Sequence, residues 1–246
     1  MLAGNDPDPV ISLNEDAAGP VLLTCEHAGR LTPGALGGMG VAAADWDRHI
    51  AWDVGALALA ESLSRALDAR LIAQRYSRLV IDCNRALIAP DLIPETSDGT
   101  AIPGNWDLTA EARAARIDAI HRPFHDHIAA SIERRRPRFI FAVHSFTPVM
   151  NGAARPWHCG LLANRMPEAA EALLGIAQAR APSLNFALNE PYTVDDISDY
   201  TVPVHGERNG IPHALVEIRN DQLQSDEGVA FWSGLLAGAI TEWLQG

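Results

Sequence analysis

Short apolar runs alternate with longer helical stretches along this chain, and that alternation limits the fold more than any other feature. The run VLLTCEH (21–27) is typical of a buried strand, whereas DVGALALAESLSRALDA (53–69) has the composition of a helix. Further strands are predicted at 70–77, 79–83, 138–146, 157–164 and 213–220, and further helices at 108–136, 168–181 and the C-terminus. Strands separated by helices predict an α/β domain with a mainly parallel or mixed central sheet flanked by helices.

Length and composition favour one large domain. The chain has 246 residues, of which 48% are hydrophobic, and this is enough to form a sizeable core. Residues 1–19 are polar and rich in Asp, Gly and Pro, so we expect a flexible N-terminal arm there. The single catalytic domain would then span 20–246.

The charge balance points to a small-molecule partner. The formal net charge is -12, whereas nucleic acids and anionic membranes are bound by basic surfaces. No apolar run approaches the roughly 20 residues needed to cross a bilayer. The three cysteines follow no zinc-finger or CxxC spacing, and no signal-peptide pattern opens the chain, so we expect a cytoplasmic protein. Nothing in the sequence indicates an oligomeric state.

Polar side chains follow several of the predicted strands. These groups are Glu26 with His27, Asp82 to Arg85, His144 with Ser145, and Glu217 with Arg219. Ligands of α/β sheets bind at the carboxyl ends of the strands. We therefore expect all four groups to converge on one edge of the sheet.

His27 and His144 are the best candidates for metal ligands. Neutral imidazoles suit zinc, and a catalytic zinc usually takes three protein ligands. Asp53 ranks first as the third ligand and Glu26 second, because neighbouring residues of a strand point to opposite faces. The alternative is that the histidines are ordinary hydrogen-bonded residues and that Asp53 caps the following helix.

The segment RYSRLVIDCNR (75–85) adds two arginines and an asparagine around a predicted strand end. Arginine binds carboxylates through two parallel hydrogen bonds, so this segment predicts a site for an acidic substrate. The alternative is structural, with Asp82 pairing with Arg78 or Arg85 to fix a loop. A zinc site that faces a carboxylate clamp is typical of an amidohydrolase or a carboxypeptidase acting on a small acidic molecule.

Five separated motifs, CEHAG, DRHIAWDVGA, RYSRLVIDCNR, HSFTP and HALVEIRND, resemble in this order the N-formylglutamate amidohydrolase family. The resemblance implies zinc-assisted hydrolysis of N-formyl-L-glutamate to formate and glutamate. It also implies a fold similar to zinc carboxypeptidases, of the phosphorylase/hydrolase-like kind, and to aspartoacylase-like deacylases. Two departures stand out: Arg30 occupies the position of a deacylase glutamate ligand, and Glu26 replaces a proline common in the family.

The resemblance also implies roles for individual residues. One zinc ion, or another divalent metal, would be held by His27 and His144, and Glu217 would activate the attacking water. Arg78 would stabilise the developing oxyanion, while Asn84 and Arg85 would hold the substrate carboxylate. Arg219 would either assist them or form a structural pair.

Three further histidines are candidates of lower rank. His121 and His125 have the spacing of the HExxH motif, but the sequence HRPFH lacks its glutamate, and we expect no second metal there. His125 would line the cavity. His205 lies in a polar loop before the strand that carries Glu217, so it is either a substrate-binding residue or a plain loop residue.

Two other functions compete with this hypothesis. The first is a related N-acyl amino acid deacylase or a carboxypeptidase-like peptidase with a different acyl pocket. The second is a non-catalytic protein that binds acidic metabolites through the same arginines. Bound zinc would favour either enzyme over the binding protein.

Overall fold

A computed structural model describes residues 1–246 and contains a seven-stranded mixed sheet with helices on both faces. In chain order the strands are β1 (Val10–Leu13), β2 (Val21–Cys25), β3 (Arg70–Gln74), β4 (Thr96–Ser97), β5 (Thr100–Ala101), β6 (Phe139–Phe146), β7 (Val149–Met150), β8 (Ala153–Ala154), β9 (Cys159–Leu162), β10 (Phe186–Leu188) and β11 (His213–Arg219). The large sheet has the order β1-β3-β2-β6-β11-β9-β10, and two small hairpins, β4-β5 and β7-β8, lie outside it. The pairs β1-β3 and β9-β11 are antiparallel, whereas the other pairs of the large sheet are parallel.

The helices cover both faces of the sheet. They are α1 (Ala56–Ala66), α2 (Ala110–Arg116), α3 (Arg122–Arg134), α4 (Glu168–Arg180) and α5 (Asp226–Gln245), with π-helical segments at Ile117–His121 and Thr201–Gly206. Buried side chains of α1, α4 and α5 form one core with the sheet, and those of α3 contribute to a second. No helix is both long enough and apolar enough to cross a membrane.

The predicted α/β architecture is confirmed, because the central strands and the four predicted helical regions all form. The helical region 108–136 is less regular than predicted. Thr109 caps α2 through its side chain, and a π-helical segment then separates α2 from α3, immediately before the first turn of α3 that contains Pro123.

Two local predictions differ from the structure. The run LVIDC (79–83) is buried but forms turns instead of a strand, because Ser77 accepts hydrogen bonds from the backbone of Leu79 and Val80 and so bends the chain. A short apolar run alone does not distinguish a buried turn from a buried strand. Within the expected arm, Val10–Leu13 form an edge strand antiparallel to β3.

Candidate active site

A cavity of ≈ 580 Å³ opens at the carboxyl edge of the parallel strands. It is lined by most of the residues that the sequence singled out, namely His27, Asp53, Arg78, Asn84, Arg85, His144, Ser145 and Glu217. The carboxyl ends of the parallel strands β2 and β6 bring His27 and His144 to the same edge. The rule that ligands bind at this edge therefore places the site where the structure has its cavity.

His27, Asp53 and His144 form a compact buried cluster. Asp53 Oδ2 lies 2.9 Å from His144 Nδ1 and 3.4 Å from His27 Nδ1. The backbone N–H of Asp53 donates to the carbonyl of His27, which fixes the start of α1 against the end of β2. Asp53 does not cap α1, because no side chain makes a cap hydrogen bond there and Gly55 holds the N-cap position.

A carboxylate stands behind each of the two imidazoles. Asp82 Oδ1 lies 2.6 Å from His27 Nε2, and Glu26 Oε2 lies 2.9 Å from His144 Nε2. Metal-binding histidines typically turn their second nitrogen to such a carboxylate, which orients the ring and makes it a stronger ligand. The structure thus places Asp53 between the two Nδ1 atoms and Glu26 on the far side of His144.

This donor set fits a divalent metal ion. The ligand atoms of His27, Asp53 and His144 all lie within 4.8 Å of one another. Burial opposes the charge of Asp53, but the two histidines outweigh it and hold the pKa of Asp53 below its ordinary value. Burial also opposes the charge of His144, but its bonds to Asp53 and Glu26 raise the pKa of His144 well above its ordinary value. The cluster therefore favours positive charge, and two imidazole nitrogens with one carboxylate suit zinc.

Glu217 faces this cluster from the neighbouring strand. In β11 it is the register partner of His144 in β6 on one side and of Gly160 in β9 on the other. Its Oε2 atom is buried without a hydrogen-bond partner. Burial raises the pKa of Glu217 to about 8, although the positive charge of His144 partly opposes that shift. Gly160 is required beside it, because a Cβ there would overlap the carbonyl oxygen of Glu190.

The two cavity arginines differ in how much of the guanidinium is in use. Arg78 donates to Asp82 through Nη2 at 2.7 Å and through Nε at 3.1 Å, and its Nη1 lies 3.4 Å from Asp53. Arg85 donates to Asp91 through Nε at 2.9 Å and to the carbonyl of Ser198 through Nη1. These bonds use Nε and Nη1, and the third nitrogen, Nη2, makes no hydrogen bond to protein in this cavity-lining residue.

Asn84 lines the cavity, but neighbouring protein groups use its amide. Its Nδ2 donates to Asp199 at 2.9 Å, and its Oδ1 accepts from the backbone of Tyr200 and Thr201. Asn84 thereby ties the turn that carries Arg85 to the segment that follows Asp199.

Arg219 and His205 lie outside the cavity lining. Arg219 pairs with Asp221 and donates to the carbonyls of Arg155 and Trp157, so the structural alternative describes its contacts. His205 is buried and contacts His125 through a ring nitrogen.

Sequence reasoning missed three features of the site. Asp82 is expected from the sequence at the edge of the sheet and as a loop-fixing acid, but its contact with His27 is not predicted. His49 lines the cavity, and its only signal in the sequence was its place in the DRHIAWD stretch. Thr201 donates to Glu26 Oε1 at 2.6 Å from 175 positions away, a contact that no local pattern reveals.

The sequence matches the family model described as N-formylglutamate amidohydrolase over residues 19–223. No curated protein matches it significantly. The structure is similar to a gene product of Agrobacterium tumefaciens, with a TM-score of 0.91, 36% identity and 98% of each chain covered.

Two further solved structures share the fold at lower identity. N-formylglutamate amidohydrolase from Ralstonia eutropha has a TM-score of 0.65 at 18% identity, over 97% of this chain and 99% of that one. A bacteriophage poly-gamma-glutamate hydrolase has a TM-score of 0.50 at 8% identity, over 100% and 93% of the two chains.

Proposed function

We propose that this chain, which belongs to the N-formylglutamate amidohydrolase family, is a zinc-dependent hydrolase that cleaves N-formyl-L-glutamate or a similar N-acyl acidic amino acid. The family establishes hydrolysis of an amide, while zinc and the acidic substrate are our inference. One observation carries it: the His27–Asp53–His144 cluster, the unpartnered carboxyl of Glu217 and the free Nη2 of Arg85 belong to one cavity.

The metal would be held by His27, His144 and Asp53, while Glu26 and Asp82 orient the two imidazoles from behind. When bound, zinc would make a water molecule acidic enough to react near neutral pH and would polarise the scissile carbonyl. In this arrangement Glu26, the alternative ligand, instead keeps the His144 ring in place through its contact with Nε2.

Glu217 is our candidate for the general base. Its Oε2 has no hydrogen-bond partner, so it can accept a proton from the attacking water. It would then donate that proton to the leaving nitrogen. Burial raises its pKa to about 8 in the protein without a metal, and a cation held by the neighbouring cluster would lower it toward the working pH. A group that must accept and then deliver a proton works best with a pKa near the working pH.

Arg78 is our candidate for oxyanion stabilisation. Its Nη1 has the longest contact of the three guanidinium nitrogens, 3.4 Å to Asp53, and is therefore the nitrogen most easily turned to a substrate oxygen. Its other two bonds anchor it to Asp82, the acid that also orients His27. Removal of one such donor typically costs about 100-fold to 1000-fold in kcat.

Arg85 is our candidate for recognition of the substrate carboxylate. Two of its nitrogens are fixed by Asp91 and Ser198, so the free Nη2 is held in one direction. The cavity lining also contains several acids, namely Asp53, Asp82, Asp91 and Asp199. A negatively charged substrate group therefore needs a cationic partner to bind there. In our proposal Asn84 supports this anchor by bonding the neighbouring segment and does not contact the substrate.

A hydrolysis screen tests the proposal. Metal-free protein would be reconstituted with zinc and offered N-formyl, N-acetyl and N-succinyl derivatives of glutamate and glutamine, with release of the free amine as the readout. We expect fastest release from N-formyl-L-glutamate and little from the glutamine derivative. Preference for another acyl group would support a related deacylase, whereas zinc binding without hydrolysis of any derivative would contradict the proposal.

A further inference from the structure

Three buried histidines form a second cluster that the proposed mechanism does not use. This histidine cluster consists of His121, His125 and His205, packed around the ring of Tyr200. The ring centroid of His125 lies 4.4 Å from that of His121 and 4.2 Å from that of Tyr200. His125 Nδ1 lies 3.0 Å from His205 Nε2. The cluster joins helix α3 to the segment that precedes β11.

Both outer members of the cluster come from π-helical backbone. His121 ends the segment Ile117–His121, and His205 belongs to the segment Thr201–Gly206. Such wide helical turns are rare and occur frequently at functional sites. Here one π-helical segment precedes His125 in the chain and the other follows it, and each brings an imidazole to His125.

The hydrogen bonds of the cluster have a defined direction. His125 Nε2 donates to the carbonyl of Cys83 at 2.8 Å, so in a neutral ring its Nδ1 accepts from His205 Nε2. His121 Nε2 donates to the carbonyl of Arg85 at 3.1 Å. Burial lowers the pKa of His125 well below its ordinary value and that of His205 to about 4, so both rings are neutral near pH 7. Because both nitrogens of His125 are occupied, this is not a metal site.

The carbonyls of Cys83 and Arg85 flank Asn84, and they belong to the turn that presents Arg85 to the cavity. The same turn is also held by residues 198–201, which include Tyr200 of the cluster. Asn84 donates to Asp199 and accepts from the backbone of Tyr200 and Thr201, and Arg85 donates to the carbonyl of Ser198. We propose that the histidine cluster positions the Cys83–Arg85 turn, and with it the guanidinium that reads the substrate carboxylate. This inference rests on the proposed function of Arg85 and makes the three histidines positioning residues without substrate contact.

A crystal structure of a variant tests the geometry independently of activity. His125→Leu removes both hydrogen bonds, whereas His125→Gln retains a donor able to reach the carbonyl of Cys83. We expect the Cys83–Arg85 turn to be displaced in His125→Leu, with loss of the contact between Arg85 and Ser198, and to be restored in His125→Gln. An unchanged turn in His125→Leu would overturn the proposal. Ile132→Ala, two turns further along α3, is the control for simple loss of core packing.

Kinetics then test whether the cluster acts through Arg85. His125→Leu should raise KM for the acidic substrate about 10-fold to 100-fold, as expected for a misplaced binding group. The change in kcat and metal content should be much smaller, because Arg78 and His27 hold Asp82 in place independently of the turn. The Ile132→Ala control should lose stability without this change in KM. His125→Gln should have a KM close to that of the unmodified protein.

A double-mutant cycle separates the two levels of inference. If His125 acts through Arg85, the double variant His125→Leu, Arg85→Ala should have the KM of Arg85→Ala alone. Additive effects would overturn the positioning role. If Arg85→Ala itself leaves KM unchanged, or affects the acidic and amidated substrates equally, the assignment of Arg85 in the proposed function fails instead.

Discussion

This protein has two groups of buried histidines, and their hydrogen-bond partners differ in charge. His27 and His144 turn their outer nitrogens to the carboxylates of Asp82 and Glu26. In the histidine cluster, His121 and His125 donate to backbone carbonyls instead. Carboxylates raise the pKa of His144 well above its ordinary value, whereas burial lowers that of His125 well below it.

The comparison shows that burial and proximity do not by themselves make a metal site. A metal ion replaces protons, so it favours a place where surrounding carboxylates already stabilise positive charge. His27 and His144 have such carboxylates behind them, and the Nδ1 atoms of both rings face Asp53. The hydrogen-bond acceptors in the histidine cluster are all neutral, and the Nε2 atoms of His121 and His125 hold backbone carbonyls. Buried histidines thus serve either as proposed metal ligands or as backbone supports in this protein, depending on the charge of their hydrogen-bond partners.

The largest expected effect is on metal binding. Replacing His27 or His144 by Ala should reduce bound zinc from about one per chain to nearly none, because two of the three proposed ligands are imidazoles. His125→Leu is the matched control from the other group and should retain zinc. Metal analysis after dialysis measures this. Loss of zinc from His125→Leu but not from His27→Ala would reverse the comparison.

The next effect is on the chemical step, which we assign to Glu217 beside His27 and His144. Glu217→Gln should retain zinc and lower kcat about 100-fold to 10,000-fold with little change in KM, because a general base acts on the water and not on the substrate anchor. Steady-state kinetics with parallel metal analysis check it. Glu207→Gln, which alters an acid outside the cavity lining that pairs with Arg165, is the control. A kcat equal to that of the unmodified protein would exclude Glu217 as the base.

A smaller effect should separate the acid between the imidazoles from the acid behind one of them. Glu26→Gln should weaken zinc binding about 10-fold to 100-fold, as is typical for groups that orient a ligand. Asp53→Ala should weaken it more, because it removes a ligand and leaves two imidazoles facing each other. Competition with a chelator measures both. Stronger loss in Glu26→Gln would make Glu26 the third ligand.

The last effect lies outside the reaction and concerns stability in acid. Because the folded pKa of His205 is about 4, the unfolded chain binds a proton there that the folded protein does not bind. This contribution is complete above about pH 6.5 and is lost as the pH falls toward about 4, with a total of about 3 kcal/mol.

Urea unfolding of the metal-free protein at several pH values checks this expectation. His205→Phe should show a flatter decline of the free energy of unfolding than the unmodified protein over that pH range. His127→Phe, on α3 but outside the cluster, should keep the original slope. Identical slopes for all three proteins would show that His205 does not resist protonation in the folded state.

Regular patterns in the sequence predicted most of the sheet. The strands β2, β3, β6, β9 and β11 were predicted because continuous short apolar runs are typical of buried strands, and the helices α1, α4 and α5 because of their composition and spacing. The run at 79–83 was assigned wrongly, since its burial comes from packing in a turn and not from strand pairing. Strand β1 was missed because its four residues are stabilised by pairing with β3 and not by a strong pattern of their own.

The sequence by itself determined the α/β architecture, the polar residues at the strand ends and, through five ordered motifs, the family. Only the tertiary structure decided which acid lies between the two imidazoles and which lies behind one of them. Glu26 and His27 are neighbours in the chain, but the turn after β2 sends Glu26 toward Thr201, 175 positions away, while Asp53 arrives from the start of α1. Local sequence patterns report periodicity, whereas these contacts depend on how distant segments pack, and no local pattern encodes that.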